Sequence, residues 1–387
     1  MKRIFYSKIF VLAILVFSLC TVSMRFTPTN VAHASSLPKA TYTCDYYTGS
    51  VISATNENQR FQIASMVKIM TALIVFEEID RGNISTDDKV VVSTTAGGMG
   101  GSQMFLSAGS EYTISDLLKG LIVVSGNDCS VQLAEVVSGS ESAFVAKMNE
   151  RANQLGMADT LFSNCTGLPS TEEQYCSAKD VSIMFRELIK HPLYFDYSKV
   201  WIEDYVHPDG HITQLVNTNK LIRFYNGCDG GKTGYTSQAR YCLASTAKRG
   251  DTRIVNVIIG AEDSKSRFAE ASNTYNYAFA NYESVSVLKT DVPLDTQLSV
   301  RGANVDSVSL IPISNLTIFG KRGEVSKSIK IDYELPSFVK APIKIGEQIG
   351  VARVVYNGVE YEVGIGVSQE ILPINYPQSI AKIVRNW

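Results

Sequence analysis

The sequence has almost no excess of charge: 36 lysines and arginines stand against 38 aspartates and glutamates, a formal net charge of −2. That excludes the basic footprint on which nucleic-acid binding depends, so no nucleic-acid partner is expected. Histidine is scarce, four in 387 residues. His191, His207 and His211 fall in surface or loop contexts. The stretch His207-Pro208-Asp209-Gly210-His211 lacks the ligand spacing and supporting carboxylates of a metal loop. None of the seven cysteines stands in a C-x-x-C spacing. No metal and no cofactor is therefore expected. Short-period repeats and low-complexity tracts are also missing.

The one marked apolar run is near the start. Lys2, Arg3 and Lys8 precede Ile9 to Val22, which is too short for an ordinary membrane-spanning helix, and Ala32-His33-Ala34 has the small-x-small form of a cleavage site. Residues 1–34 are expected to be a secretory signal peptide. An uncleaved N-terminal anchor is the alternative, because Met24 to Ala34 is long for a cleavage region. Export would leave Cys44, Cys129, Cys165, Cys176, Cys228 and Cys242, an even number that permits disulfides. A chain of this length, 45% hydrophobic, builds a core without such staples, so mostly free, buried thiols are expected.

What is present is α and β structure in sequence blocks. Strands are expected over residues 40–63, with a turn at Thr48-Gly49, and again over Gly231–Thr236, Arg240–Lys248 and Arg253–Gly260. Between them lie helical patterns at Ser65–Ile79, Ile114–Val124, Cys129–Val137 and Phe144–Leu155, the last stopped by Gly156. Ser177 and Asp180 have capping-box-like spacing before Val181–Lys190. A helix follows at about Arg267–Tyr282. Val285–Leu294 reads as a linker. Beyond it, short alternating runs and the Asn357-Gly358 turn indicate a small β-domain. The expected division is 35–284, 285–377, and a tail at 378–387.

The chemistry is concentrated in Ala64-Ser65-Met66-Val67-Lys68. Ile69, Ala72, Leu73 and Phe76 follow as the buried stripe of an amphipathic helix. This places Ser65 at the first turn, among unpaired N–H groups, and Lys68 one turn later on the same face. A buried lysine loses much of its preference for charge and can take the serine proton. S-x-x-K alone is a weak pattern; it recurs at Ser36, Ser245, Ser286, Ser337 and Ser379. Ser65 is singled out by its helix start and by two later motifs, Ser125-Gly126-Asn127 and Lys232-Thr233-Gly234. Ser125 offers a second hydroxyl to relay a proton. Asn127 is suited to orienting Lys68 and a substrate carbonyl, with Gly126 giving the tight backbone between two helices. Gly234, lacking a side chain, would let a substrate backbone approach the strand.

S-x-x-K, S-x-N and K-T-G in this order are the element set of penicillin-binding proteins and class A β-lactamases. Over about residues 38–370 the sequence resembles the low-molecular-mass penicillin-binding proteins that act as serine-type D-alanyl-D-alanine carboxypeptidases. The resemblance implies an α/β (α+β) penicillin-binding-protein/β-lactamase-like transpeptidase fold with a helical subdomain, followed by a small all-β C-terminal domain. It implies removal of the terminal D-alanine from peptidoglycan pentapeptides through an acyl-enzyme on Ser65, in cell-wall biogenesis, with β-lactams as covalent inhibitors. It makes the N–H groups of Ser65 and Tyr235 the oxyanion hole, and gives the substrate carboxylate to Lys232, Thr233 and Arg267. For Arg267 a surface salt bridge is the competing reading. Val67 replaces a common threonine and Ile63 a common proline; both flank the chemistry.

Two other functions are weighed. A class A β-lactamase would need a glutamate followed four residues later by asparagine, but Glu172 and Glu173 are followed at that spacing by Cys176 and Ser177. A catalytically silent peptidoglycan-binding protein would not need Ser65, Lys68, Ser125, Asn127 and Lys232 together. At the end, Ile380, Ile383, Val384 and Trp387 form an apolar stripe beside Lys382 and Arg385. That suits weak membrane-surface contact or packing on the β-domain equally well. The expected location is the cell wall or the outer face of the cytoplasmic membrane.

Overall fold

A computed structural model describes residues 37–378 and 380. Its centre is a five-stranded antiparallel sheet of β1 (Ala40–Asp45), β2 (Val51–Thr55), β7 (Cys228–Thr236), β8 (Arg240–Arg249) and β9 (Thr252–Ala261), in the order β2-β1-β9-β8-β7. Three minor strand pairs are set around the two main sheets. They are β3 (Lys89–Val91) with β4 (Glu111–Thr113), β5 (Ile202–Val206) with β6 (Ile212–Val216), and β10 (Tyr282–Leu288) with β13 (Leu316–Lys321). Every residue of β9 is buried, because helices cover both faces of the sheet. A strand buried on both sides reads as a continuous apolar run, as Ile254 to Ile259 does but for Asn256.

One face packs against the helical group α1 (Lys68–Asp80), α2 (Ile114–Lys119), α3 (Asn127–Ser138), α4 (Glu141–Gln154) and α5 (Ala178–Leu188). The other face packs against α6 (Ser264–Asn281), through Leu243, Ile254 and Ile258 against Ala271, Tyr275 and Phe279. The Ser177 hydroxyl caps α5 by accepting from the Asp180 N–H, and Gly156 takes a φ of +72° after α4. Helix α1 differs from expectation. Its buried side is not a stripe: Met70, Thr71, Ile74 and Val75 are enclosed as well as Ile69, Ala72, Leu73 and Phe76. The helix is apolar nearly all round and runs through the middle of the core.

Among the described residues the C-terminal part is mostly β, with short helical turns at Val325–Ser328 and at residues 376–378. β11 (Gln297–Arg301), β12 (Ser307–Pro312), β14 (Lys330–Glu334), β15 (Phe338–Lys340), β16 (Gly350–Tyr356) and β17 (Val359–Val367) form a six-stranded sheet in the order β14-β16-β17-β12-β11-β15. Asn357 and Gly358, with φ of +49° and +79°, close the β16–β17 hairpin as both residues of a primed turn. The expected linker is shorter than its sequence suggested. Val285–Leu288 continues β10 and pairs with β13, so the polar-apolar alternation of Ser284 to Leu288 is a strand's and not a tether's.

Candidate active site

The nucleophile turn, Ala64–Val67, is a 3₁₀ turn that leads into α1. Ser65 is half-buried in it, one turn ahead of the regular helix. Ala64 has a φ of +48°, a left-handed conformation rare for a residue with a side chain. Two glycines make room for this bend. A Cβ on Gly167 would fall 2.0 Å from the Ala64 carbonyl oxygen, and one on Gly234 would fall 2.6 Å from the Ile63 carbonyl oxygen. Gly234 therefore meets a packing requirement that the sequence did not reveal. Its bare Cα faces the nucleophile turn, letting β7 and Ser65 come together.

Lys68 is 1% exposed. Its Nζ lies 2.6 Å from Asn127 Oδ1, 2.6 Å from the Thr166 carbonyl oxygen and 3.3 Å from Ser65 Oγ. Burial, the dominant influence, lowers its pKa to about 7, against an opposing pull from Cys165, Asp128 and Cys129.

Helix α2 runs on through a π turn, Gly120–Val124, into Ser125. The tight backbone expected of Gly126 belongs to Ser125, whose φ is +65°. Gly126 has an ordinary φ of −54° but no space: a Cβ there would meet Asp128 Oδ1 at 2.6 Å. The bend turns the buried Ser125 hydroxyl toward β7, where Lys232 Nζ donates to it at 2.7 Å and to the Thr233 carbonyl at 2.9 Å. Lys232 is also buried and has its pKa pushed well down, first by burial, then by the charges of Lys68 and Arg267. Asn127 opens α3, and its Nδ2 donates to the Gly100 carbonyl at 2.7 Å. One of the two N–H bonds of this amide is thus used within the protein.

On β7, Thr233 is buried beside Lys232, while Tyr235 is 57% exposed with its ring 4.4 Å from that of Tyr241. Arg267 is 6% exposed, which rules out the surface salt bridge. Its Nη1 donates to the carbonyls of Cys242 at 2.9 Å and Gly234 at 3.3 Å, and its guanidinium lies over Phe268. Burial lowers its pKa to about 10, so it stays charged at neutral pH. The site thus gathers three basic groups.

Sequence reasoning missed the Thr166 carbonyl, a backbone group with no side-chain signature. The Asn164 side-chain oxygen accepts from the N–H groups of Thr166 and Gly167, and the Cys165 carbonyl accepts from Thr71 and Ser130, so this turn is tied to α1 and α3. The asparagine–glycine spacing was the signal available. His207 departs from the surface reading, whereas His191 lies in a loop and is half-buried. His207 is 2% exposed, bonded to the Tyr112 hydroxyl and to Thr213 Oγ1. His191 stacks on Phe76 with its Nδ1 2.7 Å from Asp80. Among the described residues no group of three or more His, Cys, Asp or Glu is placed to hold a metal ion. Glu172 and Glu173 are exposed. The six cysteines are separate, buried thiols.

Two family models match this chain: D-alanyl-D-alanine carboxypeptidase over residues 28–263, and the C-terminal domain of penicillin-binding protein 5 over residues 282–376. The chain is 37% identical over 342 residues to D-alanyl-D-alanine carboxypeptidase DacF of Bacillus subtilis, spanning 88% of this chain and 87% of that one. It is 31% identical over 330 residues to DacC of Escherichia coli, spanning 82% and 80%. Penicillin-binding protein 5 of Haemophilus influenzae superposes with a TM-score of 0.67 at 29% identity, covering 87% of this chain and 97% of that one. With a family match over more than half its length and a site built on Ser65 and Lys68, the chain belongs to the D-alanyl-D-alanine carboxypeptidases, the serine hydrolases among the low-molecular-mass penicillin-binding proteins.

Proposed function

We propose that the protein removes the terminal D-alanine from peptidoglycan stem peptides ending in D-Ala-D-Ala, through an ester on Ser65. The observation that carries this is the buried Lys68 nitrogen 3.3 Å from Ser65 Oγ, with a pKa near neutrality. The Ser65 O–H passes its proton to neutral Lys68 as Oγ bonds to the peptide carbonyl carbon. The N–H groups of Ser65 and Tyr235 stabilise the oxyanion. The C–N bond then breaks, the leaving D-alanine amine taking a proton by way of Ser125. Water completes the cycle by hydrolysing the ester. Lys232 and Thr233 hold the substrate's carboxylate, and Arg267, underneath β7, adds positive potential. A β-lactam acylates the same oxygen. The exposure of Glu172 and Glu173 gives no support to a class A β-lactamase.

In this reading residues 35–284 are the catalytic domain and 285–377 a β-domain. The substrate lies outside the cytoplasm, consistent with a signal peptide at 1–34, a segment outside the described residues. No helix among the described residues is long and apolar enough to cross a membrane. The 378–387 tail, outside the described residues except for Gln378 and Ile380, is assigned weak contact with the outer membrane face. Deleting it should reduce binding to anionic liposomes; unchanged binding with a lower melting temperature would instead assign the tail to the core.

The function is tested by D-alanine release from a pentapeptide ending in D-Ala-D-Ala, alongside labelling with a fluorescent penicillin. Ser65→Ala should abolish labelling and lower turnover by a factor on the order of 10⁴ or more. A label mapped to another serine would refute the assignment.

A further inference from the structure

Asp128 follows Asn127 in the first turn of α3, and the chemistry above makes no use of it. It is 1% exposed. Its Oδ2 accepts from three consecutive backbone N–H groups, Met104 at 3.0 Å, Phe105 at 2.8 Å and Leu106 at 3.1 Å. Its Oδ1 accepts from Met104 at 3.1 Å and from the Cys129 N–H at 2.9 Å. Successive amides converging on one anion make a nest, in which backbone dipoles replace a counter-ion. The middle residue, Phe105, is held at a φ of +67° with its ring 57% exposed. That backbone is costly for an aromatic residue and persists where the surroundings over-determine it. The Asp128 clasp supplies that constraint.

The same loop turns its carbonyls on the catalytic asparagine. Ser102 accepts from the Asn127 backbone N–H at 2.7 Å, and Gly100 accepts from Asn127 Nδ2 at 2.7 Å. A Cβ on Gly101, between them, would fall 2.8 Å from Nδ2, so the approach needs glycine. An amide has one donor end and one acceptor end. With Nδ2 committed to Gly100, Oδ1 is the end left facing Lys68 Nζ, 2.6 Å away. Freed of Gly100, the amide can rotate and set an N–H against the lysine nitrogen.

We infer that Asp128 is a positioning residue for acyl transfer: by clasping Met104–Leu106 it fixes the loop whose Gly100 carbonyl orients Asn127, and thereby aims Lys68 at Ser65. This rests on the assignment of Lys68 as the base. An ordinary structural carboxylate would affect stability alone; a positioning residue acts through Asn127, and its effect on turnover vanishes when that side chain is gone.

The test is a double-mutant cycle on the full chain, with Asp128→Asn, Asn127→Ala and the pair, read by D-alanine release and by thermal unfolding. Asp128→Asn should lower kcat roughly tenfold or more with KM changed less than about twofold. In the Asn127→Ala background the same substitution should change kcat less than about twofold, while the melting temperature falls equally in both backgrounds. An undiminished kcat loss in the Asn127→Ala background, or an unaltered kcat in the wild-type background, overturns the inference. If Asp128→Asn does not fold, Asp128→Glu, which keeps the charge but displaces it, runs the same cycle with the same expectation. Failure of the base assignment registers separately, as wild-type acylation by Lys68→Arg.

Discussion

Lys68 Nζ lies 2.6 Å from the Thr166 carbonyl oxygen, on a turn separate from the elements that carry Ser65, Ser125, Asn127 and Lys232. Asn127 Oδ1, at the same distance, is the second partner. Neither can donate, so together they use two N–H bonds. A neutral amine has two N–H bonds and one lone pair. The lone pair is left for the third neighbour, Ser65 Oγ. The carbonyls thus hold the lysine in the orientation needed to accept a proton.

Acylation should accordingly rise with pH through about 7, the pKa to which burial lowers Lys68, because only the neutral form accepts the serine proton. Lys68→Arg should leave the fold intact and nearly stop penicillin labelling, since guanidinium does not deprotonate in proteins. A pH-independent acylation rate between pH 5 and 9 would contradict the role of Lys68.

Gly234→Ala isolates a packing constraint. The added methyl would sit 2.6 Å from the Ile63 carbonyl and 3.2 Å from the Ser65 nitrogen, so β7 or the nucleophile turn must shift. Overpacking of this kind costs about 1–3 kcal/mol. Acylation should fall by roughly a hundredfold, because a displacement of about 1 Å has that effect on an aligned reaction. Stopped-flow acylation together with calorimetry checks both numbers. Wild-type kinetics would show that the site absorbs the methyl.

Much of the site was legible because its side chains are named by their chemistry. Ser65, Lys68, Ser125, Asn127 and Lys232 lie in short motifs, and the turns at Gly156, Ser177 and Asn357-Gly358 announce themselves through backbone preferences. The remainder depended on tertiary context. Thr166 acts through a carbonyl that every residue has. The tight backbone falls at Ser125 and not at Gly126 because a π turn, which periodicity does not reveal, ends at Ser125. The burial of His207 and Arg267 was hidden by their polarity, which describes the residue and not its neighbours. Helix α1 looked amphipathic because Thr71 and Lys68 are polar, yet both are enclosed and hydrogen-bonded.

Asp45 and Ser284 join the central sheet to the strand leading into the C-terminal β-structure. Asp45 Oδ1 accepts from Ser284 Oγ at 2.6 Å, its Oδ2 accepts from the Thr48 N–H and hydroxyl, and the carboxylate is fully buried. Ser284→Ala leaves one buried acceptor short of a partner, which costs about 1–3 kcal/mol. Calorimetry should show that loss while penicillin acylation, which involves neither residue, stays within about twofold of wild type. An unshifted melting temperature would show that the bond contributes nothing net.

Ser125 combines a chemical and a conformational requirement, and two substitutions separate them. Ser125→Gly and Ser125→Ala both remove the hydroxyl that Lys232 donates to at 2.7 Å. Each should lower turnover of a D-Ala-D-Ala peptide by a factor on the order of 10²–10⁴, the range for a lost proton-transfer group. The backbone is the difference. At a φ of +65°, alanine keeps the left-handed strain that serine already bears, whereas glycine adopts this conformation freely. Relief of strain favours glycine by about 1–2 kcal/mol, partly offset by the greater entropy of glycine in the unfolded chain. Ser125→Gly should therefore be at least as stable as Ser125→Ala while equally impaired. If only Ser125→Ala lost activity, the serine would matter for its backbone alone, and the proton relay would have to be assigned to another group.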